Sequence, residues 1–300
     1  MDSIKISSGL WKRLFLFSFL NISFIVTLLF ITNGDIIGLL PFLLIYSCTA
    51  PFVSLLFSKQ AAKKAFNLFI FQDDQHYSPE YEWYFQTTHK LATKAGFKKM
   101  PEVAIYESSD MNAFATGRSK NSSLIAISTG LLHKMDSNSI EAVIAHEIAH
   151  IKNGDMVTQT LLQAFINTLL ATILLPITFY KWASIFISDK DSEPFIWLIW
   201  LFEAIVTLVL LFFANLITKM YSRKREFGAD FLAAQLTNPQ KMISALQQLN
   251  GEPDLLQSQK KFASSQFNGT KKWLQIFSTH PSVDKRIKSL QKKFKLNDFY

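Results

Sequence analysis

His146-Glu147-Ile148-Ala149-His150 sets two imidazoles four residues apart with a carboxylate between them. On a helix of 3.6 residues per turn, positions i and i+4 share a face. His146 and His150 can therefore grip one Zn²⁺ while Glu147 reaches the water that the ion binds. The chemistry is metal-assisted peptide hydrolysis, with the histidines as ligands and Glu147 as general base. A catalytic zinc takes three protein ligands and keeps its fourth position open, so a further ligand must come from elsewhere in the chain. A metzincin would need Gly at 153 and His at 156, where Asn153 and Met156 stand. The other common solution is a glutamate on a second helix, and Glu226-Phe227-Gly228-Ala229-Asp230 supplies one. Amid Arg223, Lys224 and Arg225 a lone Glu226 reads as a surface carboxylate, but beside the first motif it reads as the third ligand. Asp230, one turn on, is placed to accept the free ring N–H of His146 and so fix its tautomer.

The elements that must position these groups can be traced from pattern. Asp136, Asn138 and Ser139 are N-cap candidates, Glu141 follows Asn138 by three, and Ile140, Val143, Ile144, Ile148 and Ile151 recur at helical spacing. The motif thus lies on a helix. Upstream, Pro79 to Gly96 reads as a helix whose Tyr, Trp and Phe pack a core. Pro101 to Tyr106, Asn112 to Thr116 and Leu124 to Ser128 read as strands separated by turn signals, giving a small antiparallel sheet ahead of the motif helix. An exposed edge strand would let an extended peptide add itself through main-chain hydrogen bonds; the alternative is a sheet that only stabilises the fold. A helix runs from Arg225 to Leu236 until Asn238-Pro239 interrupts it. The C-terminal stretch ends in Lys285, Arg286, Lys288, Lys292, Lys293 and Lys295, read as a solvated helix face, with a membrane-surface contact as the second reading.

Hydrophobic residues make up 49% of the chain, with 28 Phe, and they are gathered into runs. Leu14 to Ile31, Ile36 to Phe57, Val157 to Ile187 and Pro194 to Thr218 each reach about 20 mostly apolar residues, enough to cross roughly 30 Å of hydrocarbon. Four transmembrane helices are expected. The first run lacks a small-residue cleavage site and is followed at once by a second, so it reads as a retained anchor. Lys5, Lys12 and Arg13 precede the first run, Lys59, Lys63 and Lys64 follow the second, and Lys219, Arg223, Lys224 and Arg225 follow the fourth. The positive-inside rule then puts the N-terminus and the motifs on the cytoplasmic side.

The net charge of +8 is concentrated at span ends and in the tail, facing anionic lipid headgroups, and calls for no nucleic acid. Cys48 is the single cysteine, which excludes an intrachain disulfide and a cysteine-based zinc site. Two rivals to catalysis stay open at this point. In a zinc-dependent scaffold or chaperone, Asp155 or His280 would close the fourth metal position. An ion transporter built on Glu203 would need more polar residues along a pathway than these spans offer.

Ile140 to His150 with Asp155, and Ser222 to Asp230, together resemble the M48 zinc metallopeptidases, in their HtpX-type membrane protease branch. The resemblance covers nearly the whole chain. It implies an α+β integral membrane protein, mainly helical, with four transmembrane helices and a gluzincin-type catalytic domain holding one Zn²⁺ per chain. Expected domains are an N-terminal transmembrane hairpin over 1–58, a first catalytic part over 59–156, a second hairpin over 157–218 and a second catalytic part over 219–300. The implied activity is endopeptidase cleavage of misfolded or damaged membrane proteins at the cytoplasmic face of the bacterial inner membrane, in the stress response beside other quality-control proteases. Asn112, Ala113, Phe114 and Ala115 resemble the family's substrate-side edge strand. Ser278-Thr279-His280-Pro281-Ser282 with Arg286 resembles its C-terminal element, in which His280 helps hold an oxyanion and Arg286 braces the acidic ligand. The related prenyl-protein proteases enclose a chamber with more spans, so four spans argue against a prenyl-peptide substrate.

Overall fold

The computed structural model describes residues 40–187, 193–251 and 281–296, with 15, 17–19, 21, 22 and 26 of the first apolar run, which are helical. In chain order the elements are α1 (Leu40–Ala65), β1 (Phe69–Ile70), α2 (Pro79–Lys94), β2 (Glu102–Tyr106), β3 (Ala113–Ser119), β4 (Ser122–Ser128), α3 (Thr129–Lys134), α4 (Ser137–Asn153), α5 (Asp155–Ile187), α6 (Glu193–Leu236), α7 (Pro239–Gly251) and α8 (Val283–Phe294). They fall into two compact units, Met1–Ser54 with Thr158–Thr218 and Leu55–Val157 with Lys219–Tyr300.

The second of these units contains the sheet, whose strand order is β1-β2-β4-β3. It is mixed and not antiparallel: β2 and β4 run parallel, while β1 pairs antiparallel with β2 and β3 with β4. The turn signals in the sequence lead to the expectation of an antiparallel sheet. Burial decides otherwise. Leu124, Ile125, Ala126 and Ile127 are all 0% exposed, and a strand apolar on both faces belongs inside a sheet. β4 therefore lies between β2 and β3, and the segment after β2 steps across two strand spacings, roughly 10 Å, to start β3 at the edge. Ser128 secures that step: its hydroxyl donates to Asp110 O at 2.6 Å and accepts from Asn112 N and Leu131 N, each at 3.0 Å. The two-residue strand β1 carries no signal of its own in the sequence and forms the other edge.

Helix α4 starts at Asp136, whose Oδ1 accepts from the Asn138 and Ser139 main-chain N–H groups at 2.9 and 3.0 Å. Among the three N-cap candidates the cap is thus Asp136. The helix stops at Gly154, which adopts a left-handed conformation (φ 67°), the conformation glycine takes at no steric cost. Between these caps Ile140, Ala142, Ile144, Ala145, Ile148, Ala149 and Ile151 are buried, so the helix is covered on several sides. It packs against α2, α7, β3 and β4. Tyr84 of α2, 0% exposed, places its hydroxyl 3.1 Å from Ala104 O and 3.4 Å from Ile125 O, tying α2 to β2 and β4. α8 buries Arg286 and Leu290 against this core and leaves Lys285, Lys288, Lys292 and Lys293 exposed. The expected solvated basic face is therefore found with the exception of Arg286.

In the first unit, two helical stretches are long and apolar enough to cross a membrane among the described residues, Asp155–Thr178 and Trp197–Leu236; each reaches beyond the unit at one end. The sequence predicts four spans. Leu14–Ile31 lies largely outside the described residues, and Ile36–Phe57 overlaps α1 without entering this set. Trp197, Trp200, Leu201, Phe202, Ile205, Leu208, Phe212 and Phe213 are all exposed, a concentration of apolar surface unfavourable in water. Thr178 Oγ1 donates to Glu203 Oε1 at 2.6 Å, which gives this intramembrane-type carboxylate a partner.

Gly117 sits at the irregularity in the β3–β4 pairing with φ 134°, and a Cβ there would lie 2.1 Å from Ser122 O. Gly117→Ala is expected to destabilise the folded protein by about 1–3 kcal/mol, seen as a lower thermal midpoint in detergent. An unchanged midpoint would contradict the strained hairpin.

Candidate metal centre

Helix α4 and helix α6 bring three side chains to one point. His146 Nε2 and His150 Nε2 are 3.1 Å apart, Glu226 Oε2 is 3.4 Å from His146 Nε2, and Glu226 Oε1 is 3.6 Å from His150 Nε2. Ligands about 2.0–2.1 Å from a tetrahedral ion stand roughly 3.3–3.4 Å from one another, so the triangle has the size that Zn²⁺ requires. Among the described residues this is the group of three His, Cys, Asp or Glu side chains whose donor atoms all lie within 4.8 Å of one another. Glu226 is 1% and His146 8% exposed. Three electron-rich donors this close and this buried need a cation among them.

The far side of each imidazole is also held. His150 Nδ1 is 2.6 Å from Asp155 Oδ2. Asp230 Oδ1 stands 3.0 Å from His146 Nδ1, near enough to attract a ring proton though not aligned with the in-plane N–H direction. Carboxylates at both Nδ1 atoms favour the Nδ1–H tautomer and turn the Nε2 lone pairs toward the shared point. Asp155 is thus on the wrong face of His150 to close the metal's fourth position. Its role was not assigned from the sequence. The signal was available in Gly154, which ends α4 and lets the next residue fold back on the histidine one turn earlier.

Asp230 is fixed in turn by Arg286, whose Nε donates to Oδ2 at 2.7 Å and Nη2 to Oδ1 at 2.5 Å. The same Nη2 is 3.7 Å from Glu226 Oε2, so Arg286 faces both Glu226 and Asp230, with the two-pronged bond on Asp230. Burial alone would raise the Asp230 carboxyl. The hydrogen bonds from Arg286 and the nearness of His146 reverse this and hold it below its ordinary range. Phe294 against Phe231, with ring centroids 5.2 Å apart, and Lys293 over the Phe231 ring dock α8 in this position.

Glu147 lies within electrostatic reach of the metal triangle and of Ala115 in strand β3. Burial pushes its carboxyl up, and Glu226 adds to this; His150, His146 and the Ala115 main-chain N–H pull the other way without cancelling it. The Ala115 contact ties the middle of the expected edge strand to the expected base, a link that no sequence pattern indicates. β3 is indeed an edge of the sheet. Asn112 is exposed, while Ala113, Phe114 and Ala115 are half-buried. His280 lies outside the described residues.

Without a metal, a proton on His146 must serve as the central cation. Burial disfavours it, but Asp230 and Glu226 outweigh burial and push the His146 pKa from 6.5 to about 9. A folded pKa above the unfolded value adds stability that is fully present below about pH 6.5 and is lost as pH rises through about 9. Zinc must displace that proton. Binding at pH 7.5 is therefore expected to release about one proton per site, measured as a dependence of the calorimetric enthalpy on the ionisation heat of the buffer; no such dependence would contradict it.

Comparison with known proteins agrees with this geometry. Residues 80–293 match the sequence model of Peptidase family M48. Protease HtpX of Histophilus somni is 38% identical over 274 residues, covering 91% of this chain and 92% of that one. The Protease HtpX homolog of Bacillus licheniformis is 39% identical over 303 residues, covering 94% and 99% respectively. In fold, the chain is similar to the crystal structure of Ste24p from S. mikatae, with a TM-score of 0.60 at 20% identity over 90% of this chain and 66% of that one. The chain thus spans just under two thirds of Ste24p. With the family model matched over most of the chain and relatives aligned along nearly their full length, the chain belongs to peptidase family M48, in its HtpX type, and is a metalloprotease.

Proposed function

We propose that the protein is a membrane-bound zinc endopeptidase that cleaves misfolded or damaged membrane proteins in segments exposed at the cytoplasmic face. The observation that carries this reading is the largely buried triangle of His146, His150 and Glu226, with Glu147 beside it and a strand edge nearby that is unpaired among the described residues. His146, His150 and Glu226 would hold one Zn²⁺ per chain, which when bound would supply Lewis acidity toward a water and a peptide carbonyl. Asp155 and Asp230 hold the two imidazoles in register, and Arg286 keeps Asp230 ionised. Glu147 takes the proton from the attacking water and delivers it to the leaving amine nitrogen, for which a carboxyl raised by burial suits both directions of transfer. The outer edge of β3, from Asn112 through Ala115, binds the substrate as an added strand. An unfolded segment has the extended backbone this demands. By family likeness, His280 would hold the oxyanion.

Membrane attachment is supported by the two long apolar helices and by the exposed aromatic surface of α6. The cytoplasmic side is supported by the basic residues that flank the apolar runs, Lys59, Lys63 and Lys64 before the catalytic segment and Lys219 to Arg225 after the fourth run. On this reading the protein resides in the bacterial inner membrane, with an unfolded membrane protein as its natural partner.

The test is cleavage of an unfolded membrane protein by the detergent-purified enzyme, with chelator and zinc add-back. Glu147→Gln is expected to keep its zinc while its turnover falls roughly 10²- to 10⁴-fold. Zinc-loaded Glu147→Gln that cleaves at the wild-type rate would remove Glu147 from the mechanism.

A further inference from the structure

The side of β3 turned away from the metal bears an exposed aromatic surface that the mechanism leaves unused. β3 alternates: Ala113 and Ala115 pack toward α4 and the main core, whereas Phe114 packs on the opposite face with Ala104, Tyr106, Leu124 and Ala126. There the Phe114 ring lies 4.9 Å from Phe66 and 5.8 Å from Tyr106, and Phe66 lies 5.2 Å from Tyr106, centroid to centroid. Tyr106 is buried, at 5% exposure, but Phe66 is 45% exposed. Phe66 is held where it is by the end of α1. Asn67 takes a left-handed conformation (φ 47°), and Leu68 N–H donates to Lys63 O at 3.2 Å, closing the helix.

The hydrogen-bond phase of the sheet relates this cluster to the free edge. Ser128 N–H donates to Asn112 O at 2.9 Å, so Asn112 and each second residue after it direct their main-chain groups inward to β4. Those of Ala113 and Ala115 therefore face outward. A strand added antiparallel at this edge bonds through Ala113 and Ala115. Its residue between those bonds lies opposite Phe114 in a pair without mutual hydrogen bonds, where side chains approach most closely, with Cα atoms about 4.5 Å apart. That residue's side chain falls on the aromatic face, while its two neighbours point toward α4 and Glu147.

We propose that Phe66 and Phe114, backed by Tyr106, form a specificity subsite that selects substrates with a bulky apolar side chain at this one position of the bound strand. The inference rests on the strand-addition reading under Proposed function and adds the substrate class. Ala-Phe-Ala in β3 leaves room on the metal side and offers contact on the other. A large apolar side chain seated there removes the Phe66 ring from water, and misfolded membrane segments supply such side chains in abundance.

The test uses zinc-loaded full-length protein and fluorogenic peptides with one cleavage site, in which alanine or phenylalanine occupies each position in turn. Wild type is expected to favour phenylalanine at one position by roughly tenfold or more in kcat/KM. Phe66→Ala is expected to bring that ratio close to unity, and Phe66→Leu to keep most of it. A ratio unchanged in Phe66→Ala overturns the subsite, as does an equal loss for both peptides. Failure of the zinc-loaded wild type to cut any of the peptides would instead count against the strand-addition reading, and the subsite falls with it.

Discussion

Two imidazole nitrogens and a carboxylate, buried within 3.1–3.6 Å of one another, form the constraint on which the structure turns. Such an arrangement is unfavourable unless a positive charge occupies its centre, because each donor has given up water for neighbours that also present lone pairs. A metal ion meets that need fully and a proton meets it in part, which is why His146 holds its proton so strongly in the metal-free site. The surrounding charges follow the same logic. Asp155 and Asp230 stand behind the imidazoles, and Arg286 stands behind Asp230, so positive and negative groups alternate outward from the centre.

The scaffold is organised to hold that point. α4 is the central helix of its unit, capped by Asp136 and Gly154 and covered by α2, α7 and the sheet. Its burial fixes the rotation that turns both histidines toward α6. The sheet places its freest strand, β3, against Glu147, and Ser128 pins the segment that leads into it. Lys94 donates to the carbonyl of Leu236 at 2.5 Å and so anchors the end of the helix that carries Glu226 and Asp230. α4, α6 and β3 thus share one core, which holds the candidate ligands, Glu147 and the strand edge together.

Much of the site was legible because its parts obey local rules. The i, i+4 spacing of His146 and His150, and the i, i+4 spacing of Glu226 and Asp230, survive in any helix, and apolar periodicity was enough to establish both helices. The pairing of the first motif with the second could not be read from spacing, since 75 residues lie between His150 and Glu226, roughly the length of a small domain; it came from the chemical need for a third ligand. Sheet topology was less legible. Turn signals report that the chain reverses but not which strand it returns beside, and the decisive cue, four consecutive fully buried residues in β4, became clear only in the packed fold. Asp155 and the Ala115 N–H were missed for a related reason: both act through folded proximity and not through a residue type that stands out. The Phe66 cluster joins positions 66, 106 and 114, which no local pattern connects.

The central claim is that one zinc ion is held by two imidazoles and one carboxylate with a position left open. Zinc K-edge X-ray absorption on the purified protein addresses it most directly. The account predicts a four-coordinate shell of nitrogen and oxygen at about 2.0–2.1 Å, with outer-shell scattering from two imidazoles and no sulfur. A shell containing sulfur, or scattering from three or more imidazoles, would contradict it.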